Sequence, residues 1–130
     1  MLGVAIGDAL GELAAVHQDP DSLNDWLNEG DTLRYTDDTA MSIGIAEAII
    51  ERQGVDETSI GKAFQRNYTK EPWRSYSAST PAVFAKVKRH EISYSEAASK
   101  LYEGEGSFGN GAAMRIAPLA AVFRNSEKLR

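Results

Sequence analysis

The sequence predicts an all-α fold, on three observations. Apolar residues recur at helical spacing in several stretches, helix-start chemistry precedes several of these, and no period-two alternation runs long enough to make a strand. A compact multi-helix domain is expected, with more than half of its residues helical and no sheet of three or more strands.

The elements follow in order. Residues 2–16 carry apolar Leu2, Ile6, Ala9, Leu13 and Val16, with Gly3, Gly7 and Gly11 recurring at every fourth position. Three glycines cost a helix about 2–3 kcal/mol of propensity, a cost usually offset by the close approach of another helix or a ligand. Tight helix packing is the commoner reason. A polar, turn-rich stretch spans 17–35, with a short helix near 22–28. In Asp19-Pro20-Asp21-Ser22, Asp21 or Ser22 is expected to cap that helix. The next helix begins around Thr36 to Asp38, runs through Met41, Ile45, Ala48 and Ile49, and stops near Gly54. Another carries Ile60, Ala63, Phe64 and Tyr68 and ends before Pro72. Thr80-Pro81 reads as cap and first helical residue ahead of Val83, Phe84 and Val87. Ser93 with Glu96 reads as a capping box ahead of Ala97, Ala98 and Leu101. After the glycine-rich stretch EGEGSFGNG comes a run with Ala113, Ile116, Leu119, Ala120 and Phe123, which Pro118 is expected to kink or interrupt. Residues 125–130 read as the opening of a further helix, with Ser126 as its N-cap.

Composition narrows the function. The 130 residues are 42% hydrophobic and 25% charged, ordinary values for a domain that buries roughly two thirds of its unfolded surface. The net charge is -5 and no basic patch is evident, so nucleic acid is not an expected partner. An acidic protein that binds an anion needs local positive charge, and a metal ion or helix N-termini are its obvious sources. There are no cysteines, which excludes disulfides, thiolate metal sites and cysteine nucleophiles and suits a reducing cytoplasm. The opening MLGVAIGDALGEL is short, lacks a basic flank and contains Asp8, so neither a signal peptide nor a membrane span is expected.

Three segments carry candidate chemistry. In Tyr35-Thr36-Asp37-Asp38-Thr39, two adjacent carboxylates repel unless a cation lies between them, and with Thr36 they form an all-oxygen set suited to magnesium, manganese or calcium. The same residues make an ordinary helix start, with Thr36 as cap and acids in the first turn. Taken alone, the triplet leaves both readings open, and capping is the commoner use. From Gly104 to Met114, glycines surround Ser107, Phe108 and Asn110 ahead of a helix. Backbone N–H groups there can hold an anion, with Phe108 stacking on a base or ribose, or the stretch is a plain connection capped by Asn110. On the glycine-striped helix, Ala15 falls angularly between Gly11 and Glu12, near Asp8. His17 and His90 have no metal-ligand spacing and read as ordinary histidines.

Together and in order, these segments resemble the ADP-ribosylglycohydrolase family. GVAIGDALG at 3–11, YTDDTAM at 35–41 and GSFGNGAAMRIAPLA at 106–120 carry the likeness, with FQRNYTKEPWRSY at 64–76 between them. Within the family the chain looks most like the ADP-ribosylserine hydrolase branch. The resemblance implies that residues 1–130 are the N-terminal part of a single domain with a two-magnesium site. Thr36, Asp37 and Asp38 would be metal ligands. Ser107, Phe108, Gly109 and Asn110 would contact ADP-ribose, and Gly111 would shape their loop. The partner implied is an ADP-ribosylated protein or an ADP-ribose derivative, and the activity is hydrolytic removal of ADP-ribose.

The chain departs from the family pattern in three ways. The family's other metal ligands lie in an Asp-x-Asp-Thr/Ser motif far downstream of these residues; Asp19-Pro20-Asp21-Ser22 resembles such a motif only superficially, and a turn with a helix cap is the expected reading there. The branch's glutamate four residues after GDxxG is Ala15 here, and Glu12, one turn earlier, is a weak substitute because a shift of about 5 Å is large for catalysis. Serines at 75, 77 and 79 replace glycines around Tyr76. A catalytically impaired ADP-ribose-binding protein, or a structural protein reusing the fold, is the alternative function.

Overall fold

The computed structural model describes residues 1–30, 32–107 and 109–124. Among these the chain is all-α. It forms α1 (Leu2–Val16), α2 (Pro20–Asn28), α3 (Asp37–Arg52), α4 (Glu57–Lys70), α5 (Ser79–His90), α6 (Tyr94–Ser99) and α7 (Ala117–Phe123), with 3-10 turns at Leu101–Gly104 and Asn110–Ala112. No strand occurs among the described residues. The expected helix of 125–130 and its cap Ser126 lie outside them.

α3 is the central element. Its Ala40, Met41, Ile45, Ala48 and Ile49 are buried, and α4 lies along it through Ala63. The amide of Asn67 on α4 donates to the Ala40 carbonyl at 3.1 Å and fixes the register of the pair. α6 crosses α4 where Gly61 lets the Tyr94 ring close on the backbone, and the Tyr94 hydroxyl donates to Gln65 Oε1 at 2.6 Å. Phe84 of α5 bridges Tyr68 and Tyr94 in a tilted and an edge-on contact. The Ser42 hydroxyl of α3 donates to the Met114 carbonyl at 3.2 Å and ties down the chain between the second 3-10 turn and α7.

Several helix starts follow local chemistry. Asp56 caps α4 by accepting from the Ser59 amide, and Ser93 caps α6 by accepting from the Glu96 amide. The Glu96 carboxylate meets Lys100 at 2.7 Å, so one half of the expected capping box forms. Two expectations are corrected. Asp19, rather than Asp21 or Ser22, caps α2, because Pro20 occupies its first turn and leaves the preceding residue as cap. α5 begins at Ser79 with Ala78 before it, so Thr80 lies inside the helix and Pro81 in its first turn, where a missing N–H costs nothing. Pro118 lies in the first turn of α7, so the expected run is interrupted just ahead of it and no longer helix is kinked there.

α1 lies apart from this core. Ala9 alone is buried, while Leu2 and Val16 are 75% and 71% exposed. No atom lies within 4 Å of a Cβ built on Gly3, Gly7 or Gly11. The glycine stripe therefore does not serve packing against another described element, contrary to the commoner reason for such a stripe. α1 meets α3 through Asp8 and Ala9 instead. No helix among the described residues is long and apolar enough to cross a membrane.

Candidate functional site

The site is built around the N-terminus of α3. Thr36 is its N-cap, with an extended backbone and a hydroxyl that accepts from the Asp38 amide at 3.3 Å. Local chemistry supplies only part of the cap. The rest comes from Asp8 on α1, whose Oδ2 accepts from the amides of Thr36 (2.9 Å) and Thr39 (3.1 Å) and from the Thr39 hydroxyl (2.6 Å). Its Oδ1 accepts from the Thr36 hydroxyl at 2.6 Å. Burial raises the Asp8 carboxyl, but these hydrogen bonds outweigh it and hold the group below the ordinary carboxylate range. Asp8 is thus an ionised cap donated by a different helix. Sequence reasoning placed it on a candidate face without giving it this role.

A second clamp holds the residue before the cap. Arg74 stacks on the Tyr35 ring, with its guanidinium carbon 3.6 Å from the centroid. Its Nη1 donates to the Tyr35 carbonyl at 2.8 Å. Glu71 accepts from both Arg74 and the Tyr35 hydroxyl. The Tyr35–Thr36 segment is therefore held by α1 on one side and by the loop after α4 on the other.

Asp37 and Asp38 are left half-buried between two depressions. One is a cavity of about 870 Å³ whose wall also includes Ser107, Gly109, Asn110, Gly111 and Arg115. The other is a shallower basin of about 550 Å³ lined by Gly7, Gly11, Glu12, Ala15 and Thr36. Burial, and then the Asp38 charge, push the Asp37 carboxyl up to about 6. Burial, and then Asp8, raise Asp38 as well. Tyr76 lies close by, and burial followed by the Asp37 charge pushes its phenol up to about 12. The Tyr76 hydroxyl is buried with no hydrogen-bond partner among the described residues.

The sequence-predicted residues separate into two groups around the carboxylate pair. Ser107, Gly109, Asn110 and Gly111 share the larger cavity with Asp37 and Asp38. Glu12 and Ala15 share the basin with them, both exposed, and Glu12 Oε1 accepts from Ser75 Oγ at 3.3 Å. Phe108, the expected stacking residue, lies outside the described residues. In the glycine-rich loop, Gly106 has φ +80°, a conformation that suits glycine, and Ser107 Oγ accepts from the Gly109 amide at 3.1 Å. Asn110 opens a 3-10 turn and Gly109, not Asn110, occupies the cap position before it.

Arg115 was absent from the sequence reading. Its guanidinium lies 5.1 Å from the Phe64 centroid and against Gly111, where Nη2 comes within 2.7 Å of a Cβ built there. By lacking a Cβ, Gly111 leaves room for that guanidinium. The only sequence signal for Arg115 was a single cation in an otherwise apolar stretch, AAMRIAPLA.

Two half-buried carboxylates and a hydroxyl in contact with solvent-filled space suit a hard divalent cation in donor type. Burial first, and then the neighbouring Asp38 charge, disfavour the ionised form of Asp37. In number the set falls short, because no three acidic or imidazole side chains among the described residues converge closely enough to hold an ion. The Thr36 hydroxyl proton is committed to Asp8, leaving a lone pair as its only contribution.

The chain matches the ADP-ribosylglycohydrolase family over residues 1–130 and belongs to that family. Among curated relatives, it is 30% identical over 128 residues to the ADP-ribosylhydrolase ARH3 of Mus musculus, covering 98% of this chain and 34% of the relative. It is 36% identical over 101 residues to ARH3 of Gallus gallus, covering 77% and 28% respectively. To ARH3 of Homo sapiens it is 27% identical over 145 residues, covering 100% and 40%. The chain thus spans well under half the length of these relatives.

Proposed function

We propose that this protein acts as a magnesium-dependent hydrolase that removes ADP-ribose from a modified protein side chain or a related conjugate, with manganese able to replace magnesium. The observation that carries the reading is the joint placement of Asp37, Asp38 and the glycine-rich loop on one cavity. Membership of the ADP-ribosylglycohydrolase family and likeness to ADP-ribosylhydrolase relatives support it. In this reading Thr36, Asp37 and Asp38 hold the metal, which when bound stabilises negative charge and orients ribose hydroxyls or attacking water. Asp8 keeps the Thr36 hydroxyl and the first turn of α3 in place. Ser107, Phe108, Gly109 and Asn110 hold the ADP-ribose, with Gly111 permitting the loop's shape. The absence of cysteines fits a cytoplasmic setting.

Ala15 favours a second reading, an ADP-ribose-binding protein with little or no turnover. It lies on the basin beside Asp37 and Asp38, at the position where the resemblance expects a glutamate, and the nearest acid on that helix, Glu12, is engaged by Ser75. Loss of a general acid or base costs about 10²- to 10⁴-fold in rate.

The test measures ADP-ribose binding by calorimetry with and without magnesium, and ADP-ribose release from an ADP-ribosylated serine peptide. Asp37→Ala is expected to remove the magnesium-dependent gain in affinity, about tenfold or more. Wild-type affinity in that variant, with magnesium present, sinks the metal role. Binding without release selects the second reading.

A further inference from the structure

We propose that Arg115 is a ligand-contacting residue, a cation that this cavity offers to a phosphate oxygen of a diphosphate-bearing nucleotide sugar. The inference rests on the proposed ADP-ribose reading for the identity of the ligand, but its observations are independent of the metal. Arg115 is the one cationic side chain among the described residues that line the larger cavity, where Asp37, Asp38 and Glu57 are all acidic. An anionic ligand entering that cavity would otherwise meet net repulsion.

The guanidinium is also short of a partner. Among the described residues its buried Nε has no acceptor, and the group makes no hydrogen bond and no ion pair. Asp37 and Asp38 are near enough to act on it electrostatically, yet neither comes within ion-pair distance. A buried donor without an acceptor is costly, and the Nε of Arg115 is such a donor, so the arrangement is that of a site whose acceptor arrives from outside.

Its surroundings suit an oxyanion. The Phe64 ring centroid lies 5.1 Å from the guanidinium carbon, and Gly111 permits the group's close approach to the glycine-rich loop. The guanidinium lines the same cavity as Ser107 and Gly109. Planar bidentate donation from arginine beside hydroxyl and backbone donors matches phosphate geometry. The apolar wall beyond, with Val83 and Phe84, leaves room for the uncharged part of a nucleotide.

The experiment uses the 130-residue chain without added metal, so that arginine and magnesium are separated. Calorimetry measures binding of ADP-ribose, inorganic pyrophosphate and adenosine to wild type, Arg115→Gln, Arg115→Lys and Gly111→Ala, with circular dichroism confirming the helical fold. Arg115→Gln is expected to weaken ADP-ribose and pyrophosphate about tenfold or more while leaving adenosine within about twofold. Arg115→Lys should recover part of the loss, and Gly111→Ala, by displacing the guanidinium, should behave like Arg115→Gln. The dependence of ADP-ribose affinity on salt should flatten in Arg115→Gln. Equal weakening of adenosine and ADP-ribose, unchanged ADP-ribose affinity in Arg115→Gln, or no binding of any of the three by wild type overturns the proposal. Arginine-dependent binding of pyrophosphate by a wild type that ignores ADP-ribose upholds the anion site and sinks the ADP-ribose reading instead.

Discussion

α3 and α1 touch, yet they are held by different physics. α3 buries eight residues, from Thr39 to Ile49, and gains its stability from the apolar surface it removes from water against α4. α1 buries Ala9 alone, carries three glycines and exposes most of its apolar side chains. A helix of that composition is marginal by itself. Its attachment is polar and concentrated at one carboxylate, Asp8. The contrast separates two ways of positioning a site: α3 brings Asp37 and Asp38 as part of a packed core, whereas α1 brings Glu12 and Ala15 on an element held mainly through Asp8, beside the buried Ala9.

The comparison breaks most sharply at that point. Asp8→Ala leaves the Thr39 hydroxyl, 2% exposed with its residue, and two amides without acceptors. The expected cost is about 2–4 kcal/mol, read as a lowered denaturation midpoint. The ionised carboxylate's contribution is present above its unfolded value of 3.8 and is lost as pH falls through its lower folded value. A loss under 0.5 kcal/mol, or about the size of an exposed contact, would show that the clamp contributes nothing.

The same substitution is expected to have opposite signs in the two regions. Gly61→Ala drives a Cβ to 2.3 Å from the Tyr94 ring, so overpacking should cost about 1–3 kcal/mol despite better helix propensity. Gly7→Ala meets open space and should stabilise by about 0.5–1 kcal/mol. Paired thermal melts decide this, and matching signs would refute the contrast between a filled core and an open stripe.

The smallest effect concerns charge. Asp37 sits at about 6 when folded and 3.8 as its ordinary value, so the folded state holds more protons between these and loses stability as pH rises through that window. In the absence of metal, Asp37→Asn should therefore stabilise at pH 7, by about 1 kcal/mol after solvent screening, and by nothing below about pH 4. Urea titrations at the two pH values measure it. Destabilisation at pH 7 would mean that the carboxylate is compensated by a contact that its surroundings do not suggest.

Much of the fold was legible because a helix cap is a contact across three residues. Thr36 and Ser93 announce their helices from sequence, as do the apolar repeats that follow them. Asp19 and Ala78 show the weakness of the same signal: when proline sits in the first turn, several neighbours satisfy the pattern and the backbone selects one. The glycine-rich loop and the Asp37–Asp38 pair could be named from residue order, but their meeting on one cavity depends on how α3 lies against the chain before α7. Asp8 and Arg115 were hidden for the same reason. One is an acid in an amphipathic helix and the other a lone cation in an apolar run, and each acquires its meaning from a partner at least 28 positions away.

The clamp of Arg74 on Tyr35 also divides the freedom to mutate within one short loop. Glu71 and Arg74 face inward and hold the backbone beside Thr36, whereas Trp73 between them is 71% exposed. Sequence drift can rewrite the outer surface of this loop without disturbing the residues that anchor the start of α3. The tolerant and the constrained positions are thereby neighbours, separated by a single peptide bond along the chain.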